Sequence, residues 1–249
     1  VPPKVALVVR FVSLDTPPAV RWAGDEGLAG DDSPGWLELG LVNDYQELLT
    51  RATDRLTGAL VAYLRSGTGG THSRPASKFK PKSAYRGLTL EPGRPYSIAV
   101  MPFFNSSERR NAGEIVSLLC IRHLAAMPQF RVIDTGVVRR QLLDARIVMD
   151  SGLSVTDAET VAALIDADFV LGGQVFRYED HEGPGGRTGV EFSTTLIDRR
   201  SRRVVWKSRS YNEGTDGVRF FERGTSRTAH AMATQMVRFT AEMIAGRDR

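Results

Sequence analysis

Only one cysteine, Cys120, occurs in 249 residues, which excludes an intrachain disulfide framework and any multi-cysteine metal site. It lies in the apolar run Ile115-Val-Ser-Leu-Leu-Cys-Ile121, where a buried, inert thiol is expected rather than a nucleophile. Histidine is nearly as scarce. His72, His123, His181 and His230 are widely spaced, with no His-x-x-x-His pair to begin a metal site. No apolar run approaches the roughly 18–20 residues that a membrane-spanning helix needs. No basic and apolar leader follows Val1, so no targeting signal is visible, as would also hold for a mature or trimmed chain.

Catalytic signatures are missing too. There is no P-loop and no Gly-x-Ser-x-Gly elbow, and Gly183-Pro-Gly-Gly186 lacks the lysine and following helix of a phosphate cradle. Asp180-His181-Glu182 reads as a solvated hairpin turn. Nothing singles out a working pair among Asp134, Asp150, Asp166 and Asp168, since aspartates beside helices are mostly caps or surface charges. The expectation is a protein that is not an enzyme, with no cofactor and no metal.

What is present is ordinary globular composition: 41% hydrophobic and 25% charged residues, enough for one large domain or two small ones. The 33 basic and 29 acidic residues leave a net charge of +4, the mark of a mixed, solvated surface.

Along the chain, Lys4-Val-Ala-Leu-Val-Val-Arg-Phe-Val12 reads as a strand buried on both faces. Residues 13–42, rich in Gly, Pro and Asp, read as a long loop. A helix capped at Asn43 or Asp44 runs to about Arg65, with Leu48, Ala52, Leu56 and Tyr63 on one face. Ser66-Gly-Thr-Gly-Gly70 stops it. From Thr71 to Leu90 there are five basic residues and no acidic one, with Phe79 and Tyr85 interleaved; this stretch reads as a solvated linker or a flexible basic arm.

Ile98-Ala-Val-Met101 reads as a buried strand. An Asn111–Glu114 capping box opens a helix that is apolar nearly all round and ends before Pro128. Phe130-Arg-Val-Ile133 is a short strand, and Thr135 caps a helix with Val138, Leu142 and Leu143 inside. After Gly152, a Thr156–Glu159 capping box opens a further helix. Asp168–Tyr178, Val190–Ile197 and Val204–Tyr211 form an antiparallel meander, whose Gly172-Gly173 pair marks a bulge or a close backbone approach. A last helix, from about Thr225 to Ala245, carries Met232, Met236 and Met243 on its core face.

Ile98-Ala-Val-Met-Pro-Phe103, Phe130-Arg-Val-Ile-Asp134, Asp166-Ala-Asp-Phe-Val-Leu-Gly-Gly-Gln174, Thr195-Leu-Ile-Asp198 and Val204-Val-Trp206 follow one another over about half the chain. In order and spacing they resemble a family of bacterial envelope proteins. It includes the curli secretion channel CsgG, LpoB-type lipoprotein activators of peptidoglycan synthases, and the TolB amino-terminal domain. The resemblance implies an α/β sandwich like that of anticodon-binding domains, with a mixed sheet, an antiparallel C-terminal meander and helices packed on it. It also implies a non-enzymatic periplasmic or outer-membrane-associated protein, of lipoprotein type, working by protein contact in an oligomer.

Three departures stand out. Ser201-Arg202 replaces the family's Thr-Gly hairpin, placing Arg202 where a positive φ is often needed. The lipid-bearing cysteine is absent, so any anchor lies outside this chain. No hairpin pair long enough for a barrel wall is found, which disfavours pore formation.

The resulting layout is a strand–loop–helix unit over 1–70, read equally as a degenerate repeat or as an extension of the same core, then a basic linker over 71–95 and the envelope-type domain over 96–249. The expected role is scaffolding or regulating an envelope assembly or secretion system, with envelope proteins as partners and nucleic acid not expected. The candidate interaction residues are Arg74, Lys78, Lys80, Lys82, Arg86, Arg199, Arg200, Arg202 and Arg203. The alternative is a soluble basic module that binds nucleic acid or another polyanion through 71–86.

Overall fold

The computed structural model describes residues 2–31, 41–67, 77–91, 93–147, 154–180, 187–214 and 228–247. Its strands are β1 (Lys4–Val12), β2 (Val20–Ala29), β3 (Ser83–Arg86), β4 (Tyr96–Val100), β5 (Phe104–Asn105), β6 (Phe130–Val132), β7 (Phe169–Glu179), β8 (Gly189–Asp198) and β9 (Arg203–Glu213). Its helices are α1 (Tyr45–Ser66), α2 (Ala112–Ala125), α3 (Thr135–Asp144), α4 (Val155–Leu164) and α5 (Ala229–Ile244), with a single 3-10 turn at Ser77–Phe79.

A mixed sheet of seven strands, ordered β3-β9-β8-β7-β4-β6 with β5 beside β7, forms the middle layer. β4, β6 and β7 are parallel, whereas β7, β8, β9 and β3 are antiparallel. The sheet is open and does not close into a barrel. Alternate residues of β4 enter different cores. Ile98 and Val100 face α2 and α5, while Ala99 and Met101 face α3 and α4. That two-sided burial is why Ile98–Met101 is a continuous apolar run. α2 buries nine of its residues between the sheet, α5 and β2, in agreement with its apolar circumference. Met232, Met236 and Met243 are core residues, and Cys120 is buried, its thiol pushed up by that burial.

The N-terminal expectations need correction. β1 is not buried on both faces: only Val5 is buried, while Val9 and Phe11 are exposed. The expected loop over 13–42 contains β2, which pairs antiparallel with β1 to make a separate two-stranded sheet. Its glycines mark close approach rather than turns. A Cβ on Gly27 would lie 2.5 Å from the His230 ring. α1 forms as expected, with Asp44 accepting from Gln46 N–H and Gly67 closing the helix at φ 67°, and it packs on this hairpin.

Residues 77–91 are not a free linker. Phe79 and Leu88 enter the main core, and β3 pairs with β9. Arg74 and Gly152 lie outside the described residues, as does His181. Local chemistry moved several caps. Asn111 sits in the left-handed region at φ 62° with no side-chain cap, and Glu114 pairs with Arg139 instead. Asp134, not Thr135, caps α3, and Ser154, not Thr156, caps α4 by accepting from Asp157 N–H. Leu143 is 77% exposed, so the inner face of α3 is Val138 and Leu142, with Val137 partly buried beside them. In β7 the close approach falls at Gly173, where a Cβ would lie 2.0 Å from the Ser193 carbonyl; the bulge lies further on, between Val175 and Arg177.

Candidate interaction surface

The β8–β9 turn is built by Asp198. Its carboxylate accepts from Arg200 N–H and Ser201 N–H, and its carbonyl from Arg202 N–H at 2.9 Å. Arg202 takes φ 57°, the left-handed conformation expected where glycine usually stands. This turn directs Arg199 to an ion pair with Asp166. Arg200, Arg202 and Arg203 are exposed and form no ion pair among the described residues.

Beside the turn is a cleft of about 620 Å³, bounded by Arg199–Ser201, the Gly87–Thr89 segment after β3 and the start of β4. Its floor is polar and ordered. Asp168 accepts from Ser97 N–H and Ser97 Oγ–H, both at 2.8 Å. Arg94 lies 3.6 Å from Asp168 and 3.8 Å from Glu91, stacked over Tyr96. Arg94 is thereby neutralised, whereas Arg200, on the same cleft, is not. Arg94 and Asp168 were not foreseen as surface elements, because the strand entry at Asp168 gives no sign that Arg94 folds back onto it.

Of the nine expected residues, Arg74 lies outside the described residues, Arg199 and Arg200 line the cleft, Arg202 and Arg203 follow on the same turn, and Lys78, Lys80, Lys82 and Arg86 lie on or before β3 and do not line it. Lys78 lies 5.0 Å from the Phe79 ring centroid, Lys80 is exposed, and Lys82 Nζ reaches Asn212 Oδ1 at 3.5 Å. Arg86 turns its guanidinium toward Gly246, at the end of α5. There the last carbonyls of the helix favour a cation.

The outer surface of the sheet is uneven. α3 and α4 cover it over β4, Val170 and Ile197. Farther along β8, β9 and β3, Ser193, Thr195, Lys207, Arg209, Ser83 and Tyr85 share the opposite side from the buried Phe192, Thr194, Trp206 and Ser208. Tyr85 is 59% exposed and stands in register with Lys207. Arg209 is engaged by Glu191 and by the Phe176 ring, while Lys207 has no ion pair among the described residues. Alternation in Trp206-Lys-Ser-Arg209 was the available signal for this row.

A second polar cluster is interior. Asp25 on β2 forms an ion pair with Arg122 of α2, lies 2.9 Å from His230 Nε2 of α5 and accepts from Thr234 Oγ–H at 2.7 Å. Its side chain is 4% exposed. Burial opposes its charge, but the His230 contact and the Arg122 guanidinium hold the carboxyl well below the usual range. With the Arg10–Asp134 ion pair, and Arg131 donating to the Pro17 carbonyl, this cluster fastens the β1–β2 hairpin to the main body. It is a dock rather than a metal site. No group of three or more His, Cys, Asp or Glu among the described residues is placed to hold a metal ion, and no described helix is long and apolar enough to cross a membrane.

No family model and no curated protein matches the chain. Among solved structures, the PelC dodecamer from Paraburkholderia phytofirmans is similar at 19% identity and TM-score 0.45, over 66% of this chain and 94% of that one. The LpoB C-terminal domain from Salmonella enterica is similar at 14% identity and TM-score 0.37, over 49% and 86%. Lipoprotein GNA1162 from Neisseria meningitidis is similar at 19% identity and TM-score 0.39, over 51% and 88%. Function does not transfer at these identities and scores.

Proposed function

We propose that this chain is a non-catalytic module of the bacterial cell envelope, periplasmic or outer-membrane-associated and of lipoprotein type, its anchor supplied from outside this chain. It scaffolds or regulates an envelope assembly or secretion system through protein contact, in an oligomeric complex. The resemblance carried by Ile98–Phe103, Phe130–Asp134 and Asp166–Gln174 supports the compartment. The observation that carries the mode of action is the placement of Arg200, Arg202 and Arg203, cations without an ion pair among the described residues, on the hydrogen-bonded β8–β9 turn beside a polar cleft.

The test is fractionation of the native full-length protein, followed by affinity capture with the wild type and with Arg200→Ala/Arg203→Ala. The reading expects an envelope fraction and an envelope partner lost on substitution. A wholly cytosolic protein would end it. The second reading, polyanion binding through 71–86, draws on exposed Lys80 and the acid-free stretch Thr71–Leu90. It requires binding to heparin or single-stranded DNA that weakens steeply with salt and with alanine at Lys78, Lys80 and Lys82. Absence of such binding at low salt removes it.

A further inference from the structure

We propose that the open edge of β3 receives an acidic, extended segment of a partner protein as an added strand; the proposal rests on the reading of this chain as a protein-contact module. β3 is the end strand of the seven-stranded sheet, and all four of its residues are exposed. Gly87 N–H donates to the Val205 carbonyl. Bonded pairs alternate along an antiparallel ladder, so Tyr85 and Ser83 direct their backbone groups to β9, while those of Ala84 and Arg86 point to the open side. A backbone ladder unpaired among the described residues selects for polypeptide, because neither a glycan nor a nucleic acid supplies N–H and C=O groups at the matching spacing.

Charge selects further. Exposed Lys80 precedes the edge, Lys207 stands beside Tyr85 one strand in, Lys82 and Arg86 add positive charge at Asn212 and at the end of α5, and the nearest acid in sequence is Glu91. A second copy of this chain would bring the same cations against themselves. The charges that discourage β3–β3 pairing therefore favour an acidic strand. On the outer side Tyr85 offers an exposed ring as the cross-strand neighbour of the incoming residue.

The purified chain is titrated with an acetylated octapeptide of alternating glutamate and valine, read by fluorescence anisotropy and by amide exchange. Controls are the lysine–valine octapeptide, a fully N-methylated glutamate–valine octapeptide and a heparin oligosaccharide. The proposal expects saturable binding of the acidic octapeptide at up to millimolar concentration, with exchange at Ala84 and Arg86 slowed at least tenfold. It expects at least tenfold weaker binding of the lysine and N-methylated forms. Ala84→Pro removes an outward N–H and should abolish binding while the melting temperature stays near that of the wild type. Lys207→Glu should weaken binding several-fold and supplies a second readout if the proline variant fails to fold.

No binding at millimolar peptide overturns the proposal. So does equal binding of the N-methylated peptide, or binding without slowed exchange at Ala84 and Arg86. Heparin binding that is tighter than peptide binding and indifferent to Ala84→Pro overturns it in favour of a polyanion. These measurements use purified components, so their failure leaves the compartment test standing, and a cytosolic location would leave their result standing.

Discussion

Replacing Asp25 with asparagine should loosen the dock between the N-terminal hairpin and the main body. The amide keeps the size of the carboxylate and can still meet Thr234 or His230, but it leaves the Arg122 guanidinium, with a side chain 14% exposed, without its counter-charge. Removing one partner of a buried pair costs about 3–5 kcal/mol, and the retained hydrogen bonding argues for the lower end. For a chain of this size about 3 kcal/mol lowers the melting temperature by about 6–12 °C.

Trp22, on β2, 8% exposed and packed on Tyr63 of α1, reports unfolding of the hairpin with α1 once Trp36 and Trp206 are replaced by phenylalanine. If the hairpin with α1 is a separate unit, Trp22 should report a transition earlier than the loss of helical circular dichroism. If it extends one core, the two should coincide. Acid gives the companion measurement. A carboxyl held below its ordinary value contributes stability that is present above about pH 3.9 and is lost as pH falls through its depressed folded value. The wild type should therefore lose its advantage over Asp25→Asn only below about pH 4. A difference under about 0.5 kcal/mol at neutral pH would refute the docking argument, since exposed substitutions commonly fall in that range.

Gly173→Ala should destabilise the sheet by about 2 kcal/mol or more in urea melts, because its Cβ would meet the Ser193 carbonyl and the Phe103 ring. Ser154→Ala should cost about 1 kcal/mol through the lost α4 cap, and Thr156→Ala much less; equal effects would reverse the assignment of the cap. Arg202→Gly should raise stability by up to about 1 kcal/mol by removing a side chain from a left-handed backbone, read from the same melts.

The elements legible in the sequence were those whose residues carry a burial signal of their own. Ile98–Met101 is an unbroken apolar run because both faces of β4 are covered there, and α2 is apolar all round because it lies between the sheet and α5. β2 was hidden because Gly24 and Gly27, which read as loop residues, are there to admit the Trp22 and His230 rings. β3 was hidden because an edge strand exposed along its whole length shows no alternation of apolar residues. The meander was readable, but not the cleft beside it, which needs Arg94 to fold onto a carboxylate 74 positions later. The Asp25 cluster had no linear signal at all, since His230 lies 205 positions away.

The most direct test of the central claim is cross-linking in the native cell from a photoreactive phenylalanine analogue placed at Tyr85, followed by fractionation. The account predicts a covalent adduct between this chain and another protein, recovered with the envelope and lost when Ala84→Pro is combined with it. A protein found only in the cytosol, or an envelope protein that forms no adduct from this position, would contradict it.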